Sequence, residues 1–247
     1  MSPLQCIRGL LALIIMPPLT VVVCLGALID LHWLRRSQVK AQQFPRAWAR
    51  VLCSIAGIRV RVEGQENLDP SRTYIFIGNH NSQTDIWSFQ GYIPHDFRWI
   101  AKKELFAIPL FGPAMKAVGF ISIDRSHGRK ALQSLNDAVA RIVDGASVLI
   151  FPEGTRSPDG RLHPFKTGAI LLAIKAGVPV VPVGFNGTFQ VLPKGSLLAR
   201  GGKVVLRIGT PLPTKDFKAK DKQALALKLQ QQVAELLDEC HQPFGKE

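Results

Sequence analysis

The chain has 247 residues, 47% of them hydrophobic, and 31 Lys/Arg against 18 Asp/Glu give it a formal charge of +13. That is enough apolar material for a full core, and the charge calls for anionic company: nucleic acid, acidic lipid head groups or phosphorylated substrates. No zinc-finger spacing, helix-turn-helix signature or aromatic RNA-binding motif accompanies the charge, which sets nucleic acid aside, and the scattered Cys6, Cys24, Cys53 and Cys240 offer neither a disulfide scaffold nor a metal site.

Gly9 to Ile29 is a charge-free stretch long enough to cross a hydrocarbon layer, interrupted at Pro17-Pro18, where a continuous helix would kink or break. A kinked spanning helix, a helix pair dipping into one leaflet and, last, a signal peptide are the competing readings, with a buried soluble hairpin as the bland one. Arg35, Arg36, Lys40, Arg46 and Arg50 follow, with Trp33 and Trp48 among them, a mixture that suits a cytoplasmic membrane interface. Residues 1–56 therefore read as a membrane-anchoring helical region and 57–247 as a catalytic domain.

From Ile58 onward, β-rich runs at 58–62, 74–77, 98–101, 120–123, 148–151, 178–183 and 204–208 alternate with helical patterns at 105–118, 129–143 and 165–176. A last amphipathic helix is expected over 221–240. Continuous apolar runs such as Ser147-Val148-Leu149-Ile150-Phe151 suit strands covered on both faces. The alternation predicts an α/β fold with a mostly parallel central sheet flanked by helices.

Two strand ends carry chemistry. After 74–77 comes Asn79-His80-Asn81-Ser82-Gln83-Thr84-Asp85, a histidine with an aspartate five residues on. If the polar linker turns, the Asp85 carboxylate can hold one imidazole nitrogen and leave the other free as a base. No serine or cysteine is placed to attack, so a substrate hydroxyl would be the nucleophile. A His-x4-Asp spacing is common, and alone it favours a structural histidine. The second element, Phe151-Pro152-Glu153-Gly154-Thr155-Arg156-Ser157, ends another buried-looking strand, where such sheets bind ligands. Arg156 offers a fork of donors for phosphate, Gly154 allows close backbone approach, Thr155 adds a hydroxyl, and Glu153 could orient Arg156 or hold a substrate hydroxyl. Lys102 and Arg125, each after a predicted strand, could add cations to the same face.

With these residues in view, the sequence resembles the glycerolipid acyltransferase family, most closely its bacterial 1-acylglycerol-3-phosphate acyltransferases. Four blocks match in order: 79–85, 119–125, 151–157 and 178–183, with lesser matches at 102–105 and 164–168. Many members carry an aromatic residue after the His-Asn-Ser, where this chain has Gln83-Thr84. The resemblance implies His80 as general base with Asp85 as its partner, and Lys102, Arg125, Glu153, Gly154, Thr155 and Arg156 around the acceptor's phosphate. It further implies acyl-CoA or acyl-carrier protein as donor and a lyso-lipid with a phosphate head group as acceptor, with no cofactor and no metal. The expected setting is an anionic surface of the inner membrane, with the catalytic domain facing the cytosol. Other readings are a different lyso-lipid acceptor, a non-catalytic membrane lipid-binding protein and a cysteine-dependent acyl-enzyme.

Overall fold

The protein is described by a computed structural model covering residues 2–124 and 129–239. Seven strands, β1 (Ile58–Glu63), β2 (Ile75–Gly78), β3 (Arg98–Lys102), β4 (Ile121–Ile123), β5 (Val148–Ile150), β6 (Val180–Asn186) and β7 (Gly202–Ile208), form one sheet. Their order is β1-β7-β6-β2-β5-β3-β4, and every pairing is parallel except β6 with β7.

Successive strand side chains alternate between the sheet's two faces, and here both faces are covered. Phe76 of β2 joins a core built with α3 (Gln43–Ala56) and α4 (Thr84–Tyr92), while Ile75 and Ile77 join one built with α7 (Thr167–Ala176) and α9 (Lys222–Glu235). This two-sided burial is why the strand sequences read as unbroken apolar runs. Between β4 and β5 runs α6 (Arg129–Val143), with the bounds its periodicity predicts. Cys240, the expected end of the last helix, and Arg125 lie outside the described residues.

Three expectations need correction. Residues 3–32 form one uninterrupted helix, α1 (Pro3–His32), with Pro17 and Pro18 inside it, so the pair of dipping helices within this stretch is not what forms. Each proline removes a donor, and the hydroxyl of Thr20 bonds the Met16 carbonyl at 2.6 Å within the same turn. The helix expected over 105–118 divides into a 3-10 turn at Lys103–Ala107 and α5 (Phe111–Ala117). Pro109 cannot continue the first turn, and Leu110 takes a left-handed φ of 63° between the two pieces. The basic flank is partly spent on the fold, because Arg46 donates to the His95 carbonyl (2.8 Å) and Arg50 to that of Gly91 (2.7 Å).

The first 56 residues share the main core. Ala12 of α1 and Ala49, Leu52, Cys53 and Ala56 of α3 pack in one cluster with Ile58, Phe76 and Phe89. Both halves of α1 are tied down as well: Arg8 donates to the carbonyls of Ile55 and Ser54, and Ala27 packs with Ala41 and Val118. The opposite side of α1 exposes Ile7, Leu10, Ile14, Val22, Leu25 and Ile29.

Candidate active site

The site begins where β2 stops. Asn79, fully buried, donates from Nδ2 to the Phe185 carbonyl (3.0 Å) and accepts the Phe185 N–H on Oδ1 (2.8 Å). This clasp to β6 ends the strand and sends the next residue out at its carboxyl edge. Four residues later α4 opens with Asp85 in its first turn, where the helix dipole favours a carboxylate. The chain between them curls around that carboxylate. Asp85 Oδ2 accepts the N–H groups of Asn81 and Ser82, both at 2.8 Å, and the His80 ring at Nδ1, also 2.8 Å. A carboxylate can only accept here, so Nδ1 carries the proton and the lone pair is on Nε2. Serine and threonine complete the turn: Ser82 Oγ donates to the Leu192 carbonyl (2.6 Å), and the Thr84 N–H donates to Ser82 Oγ (3.0 Å).

The second predicted element is tied to the first through the backbone. Glu153 Oε1 accepts the His80 N–H at 2.7 Å, Oε2 accepts the His163 N–H at 3.2 Å, and the Ser157 N–H donates to the His80 carbonyl at 2.7 Å. Both Glu153 oxygens are thus spent on backbone donors, and among the described residues no carboxylate pairs with Arg156. The expectation that Glu153 orients Arg156 is replaced by a clamp on the histidine loop. Phe151 adds a second restraint that sequence reading missed. Its ring lies 3.9 Å from the imidazole at an interplanar angle of 7°, so it covers one face of His80.

The remaining residues divide between two cavities. His80, 16% exposed at its side chain, lines an apolar cavity of about 410 Å³ together with Lys102, Val23, Trp99 and Phe151. Lys102 is exposed and pairs with Glu104 at 3.5 Å. Arg156 lines an adjoining groove instead, and Gln83 walls both. Gly154 takes a φ of 78° in the turn, where a Cβ would come within 3.0 Å of Lys166 Nζ. The exposed Thr155 meets Lys194, whose Nζ donates to the Arg156 carbonyl at 3.0 Å. Lys166 and Lys194 thus add cations to this loop. Lys166 sits in a noted motif, but nothing local in the sequence points to Lys194, which arrives from 38 residues away. Among the described residues no cluster of His, Cys, Asp and Glu could hold a metal ion.

Fold and loop together define a class: an α/β protein whose parallel sheet delivers a carboxylate-held imidazole to the lip of an apolar cavity. A family model described as Acyltransferase matches residues 59–186, the span containing both loops. This chain belongs to the Acyltransferase family. It is 41% identical over 136 residues to a chloroplastic 1-acyl-sn-glycerol-3-phosphate acyltransferase of Brassica napus, covering 55% of this chain and 39% of that one. It is 35% identical over 191 residues to a 1-acyl-sn-glycerol-3-phosphate acyltransferase of Cocos nucifera, covering 77% of this chain and 61% of that one. The chain therefore spans about two fifths of the length of the Brassica napus protein. Among solved structures it is similar to the 1-acyl-sn-glycerophosphate acyltransferase PlsC of Thermotoga maritima, with a TM-score of 0.77 and 29% identity over 94% of this chain and 97% of that one.

Burial pushes the Glu153 carboxyl up from its ordinary 4.5 to about 7, against the opposing pull of the two backbone N–H groups and with Asp85 adding repulsion. A raised carboxyl pKa means that the folded state holds the proton more tightly. Its stabilising contribution is present below pH 4.5 and is lost as pH rises toward 7. Glu153→Gln removes this titration. Urea midpoints at pH 5 and pH 8 should show the stability difference moving against the wild type by up to about 3 kcal/mol across that window. A difference independent of pH would contradict the assignment.

Proposed function

We propose that this chain moves a fatty acyl group from an acyl thioester to the free sn-2 hydroxyl of a 1-acylglycerol-3-phosphate. The observation that carries the reading is the His80–Asp85 pair, 2.8 Å apart, at the edge of a cavity lined mainly by apolar side chains. With Nδ1 held by Asp85, His80 Nε2 takes the hydroxyl proton as the oxygen attacks the thioester carbonyl carbon. The tetrahedral intermediate collapses with loss of the carbon–sulfur bond, and the imidazolium returns the proton to the leaving sulfur as a thiol. Proton transfer by a positioned base contributes on the order of 10²–10⁴-fold, and holding both substrates in register contributes at least as much. The donor is acyl-CoA or acyl-carrier protein, and no cofactor or metal enters these steps. Lys102 and Arg156 are the described cations assigned to the acceptor's phosphate. The names of the relatives support this choice of acceptor.

The same reading places the chain on a membrane. Among the described residues, α1 alone is long and apolar enough to cross one. At 1.5 Å per residue it is about 45 Å long, yet its first half is fastened to the domain by Arg8 and its second half by Ala27, which packs with Val118. A transbilayer path would carry one end away from that domain. We therefore read α1 as lying in one leaflet, the cytoplasmic leaflet of the inner membrane, with its exposed apolar side in the acyl chains. Cytosolic donors require the catalytic face in the cytosol. A cysteine engineered on β7 should resist membrane-impermeant reagents added outside intact cells, and labelling from outside would reverse the orientation.

His80→Ala should lower transfer from labelled acyl-CoA to lysophosphatidate by at least about 10³-fold while the protein still unfolds in one cooperative urea transition and still floats with anionic liposomes. Undiminished turnover would end the reading. The cavity beside His80 is assigned to the donor's acyl chain. Val23→Trp, on the α1 wall, should move the preferred donor to shorter chains, with losses of about tenfold or more per excluded methylene. An unaltered chain-length profile would assign that chain elsewhere.

A further inference from the structure

Leu197 is 75% exposed, more than any other large apolar residue among the described ones except Trp33. It stands in the loop Lys194-Gly195-Ser196-Leu197-Leu198-Ala199-Arg200, which runs against the first half of α1. The approach is close: a Cβ on Gly9 would come within 2.5 Å of the Ala199 carbonyl oxygen and 3.4 Å of Leu198 Cβ. Leu197 shares the wall of the Arg156 groove with Gly9 and Leu13. At about 100° of helix per residue, Leu13 falls between the buried Gly9 and the exposed Leu10 on the circumference of α1. The loop therefore flanks α1 where its exposed row of Leu10 and Ile14 begins, and Leu197 carries that apolar surface beyond the helix.

The charge around this surface identifies what covers it. The first 62 residues hold a single acidic residue, Asp30, which pairs with Arg36, and residues 160–215 hold none. Arg200, Lys203 and Arg59, the last two in register on β7 and β1, are exposed and have no ion pair among the described residues. Apolar surface beside unpaired cations, with no carboxylate to repel a phosphate, matches an anionic lipid leaflet. We propose that the 194–200 loop is a second membrane-embedded element, with Leu197 among the upper acyl chains and Arg200 and Lys203 among anionic head groups. The proposal rests on the one-leaflet reading of α1 and deepens it. A helix alone can roll about its axis in the leaflet, whereas a helix and a loop beside it fix the rotation of the whole domain.

The test uses the full chain with vesicles of phosphatidylglycerol and phosphatidylcholine in equal parts, or of phosphatidylcholine alone. A nitrobenzoxadiazole fluorophore on Leu197→Cys, in a chain carrying Cys6→Ser and Cys240→Ser, should shift to the blue on the mixed vesicles. Spin labels placed high on the lipid acyl chains should quench it. The same fluorophore on Leu227→Cys should keep its aqueous emission, because Leu227, 69% exposed, belongs to α9 on the other face of the sheet. Leu197→Ser should weaken binding to the mixed vesicles about three- to tenfold. Arg200→Gln should weaken it about fivefold there and leave binding to phosphatidylcholine unchanged. Both variants should keep one cooperative urea transition. Aqueous emission from the probe at 197 on vesicles that the protein binds would overturn the loop's part, and so would an Arg200→Gln loss equal on both vesicles. A blue shift that appears without lipid on raising the protein concentration would assign the loop to a second copy of the chain and overturn the proposal too. A wild-type chain that binds neither vesicle would instead overturn the one-leaflet reading itself.

Discussion

One carboxylate oxygen organises the site. Asp85 Oδ2 receives three donors at 2.8 Å, two from the backbone of the loop it terminates and one from the imidazole it orients. Hydrogen bonds to a charged acceptor are worth about 1.5–3 kcal/mol each, and the residue has no exposed surface, so water cannot substitute for them. The loop therefore has one low-energy path, and that path fixes the proton on Nδ1. Structure and chemistry are inseparable here. The contacts that close the turn also decide which ring nitrogen keeps its lone pair.

The second loop makes this arrangement rigid from outside. Glu153 and Ser157 grip the N–H and C=O of His80 from β5's carboxyl end, and Phe151 covers the ring face. β2 and β5 are parallel neighbours in the sheet, with Ile75 in register with Val148, so the two loops leave the same edge side by side. A parallel sheet is thus the device that brings residues about 70 positions apart into hydrogen-bond contact. An antiparallel pair would have sent them to opposite ends.

The fold was legible where burial imposes a simple pattern. Short apolar runs such as Val148-Leu149-Ile150 suit strands covered on both faces, and the Arg129–Val143 periodicity leaves one face for the core. Legibility ended where tertiary contact overrides a local rule. Pro17-Pro18 read as a break, but α1 is held on either side of them by Arg8 and by the packing of Ala27, so the helix persists. Likewise, His80 and Asp85 were findable because they are close in sequence. The clamp by Glu153, the stacking of Phe151 and the approach of Lys194 are products of strand order, which no local pattern encodes.

α1 joins the site to the proposed membrane setting. Its first half, at Leu13 and Met16, walls the Arg156 groove, and its second half, at Thr20, Val23, Cys24 and Ala27, walls the His80 cavity. Pro17-Pro18 lie at the changeover between the two. The same helix turns its other side, from Ile7 to Ile29, outward as exposed apolar surface. An aliphatic chain leaving a bilayer ordinarily loses about 0.8 kcal/mol for each methylene passed into water. On the proposed one-leaflet reading, a helix that is lipid-facing on one side and pocket-lining on the other lowers that barrier, because both cavities lie against the same helix. The small residues Gly9, Ala12 and Ala27 are what let α1 approach the domain closely enough to serve both purposes. A bulkier inward face would hold the helix off the sheet and open both cavities to water.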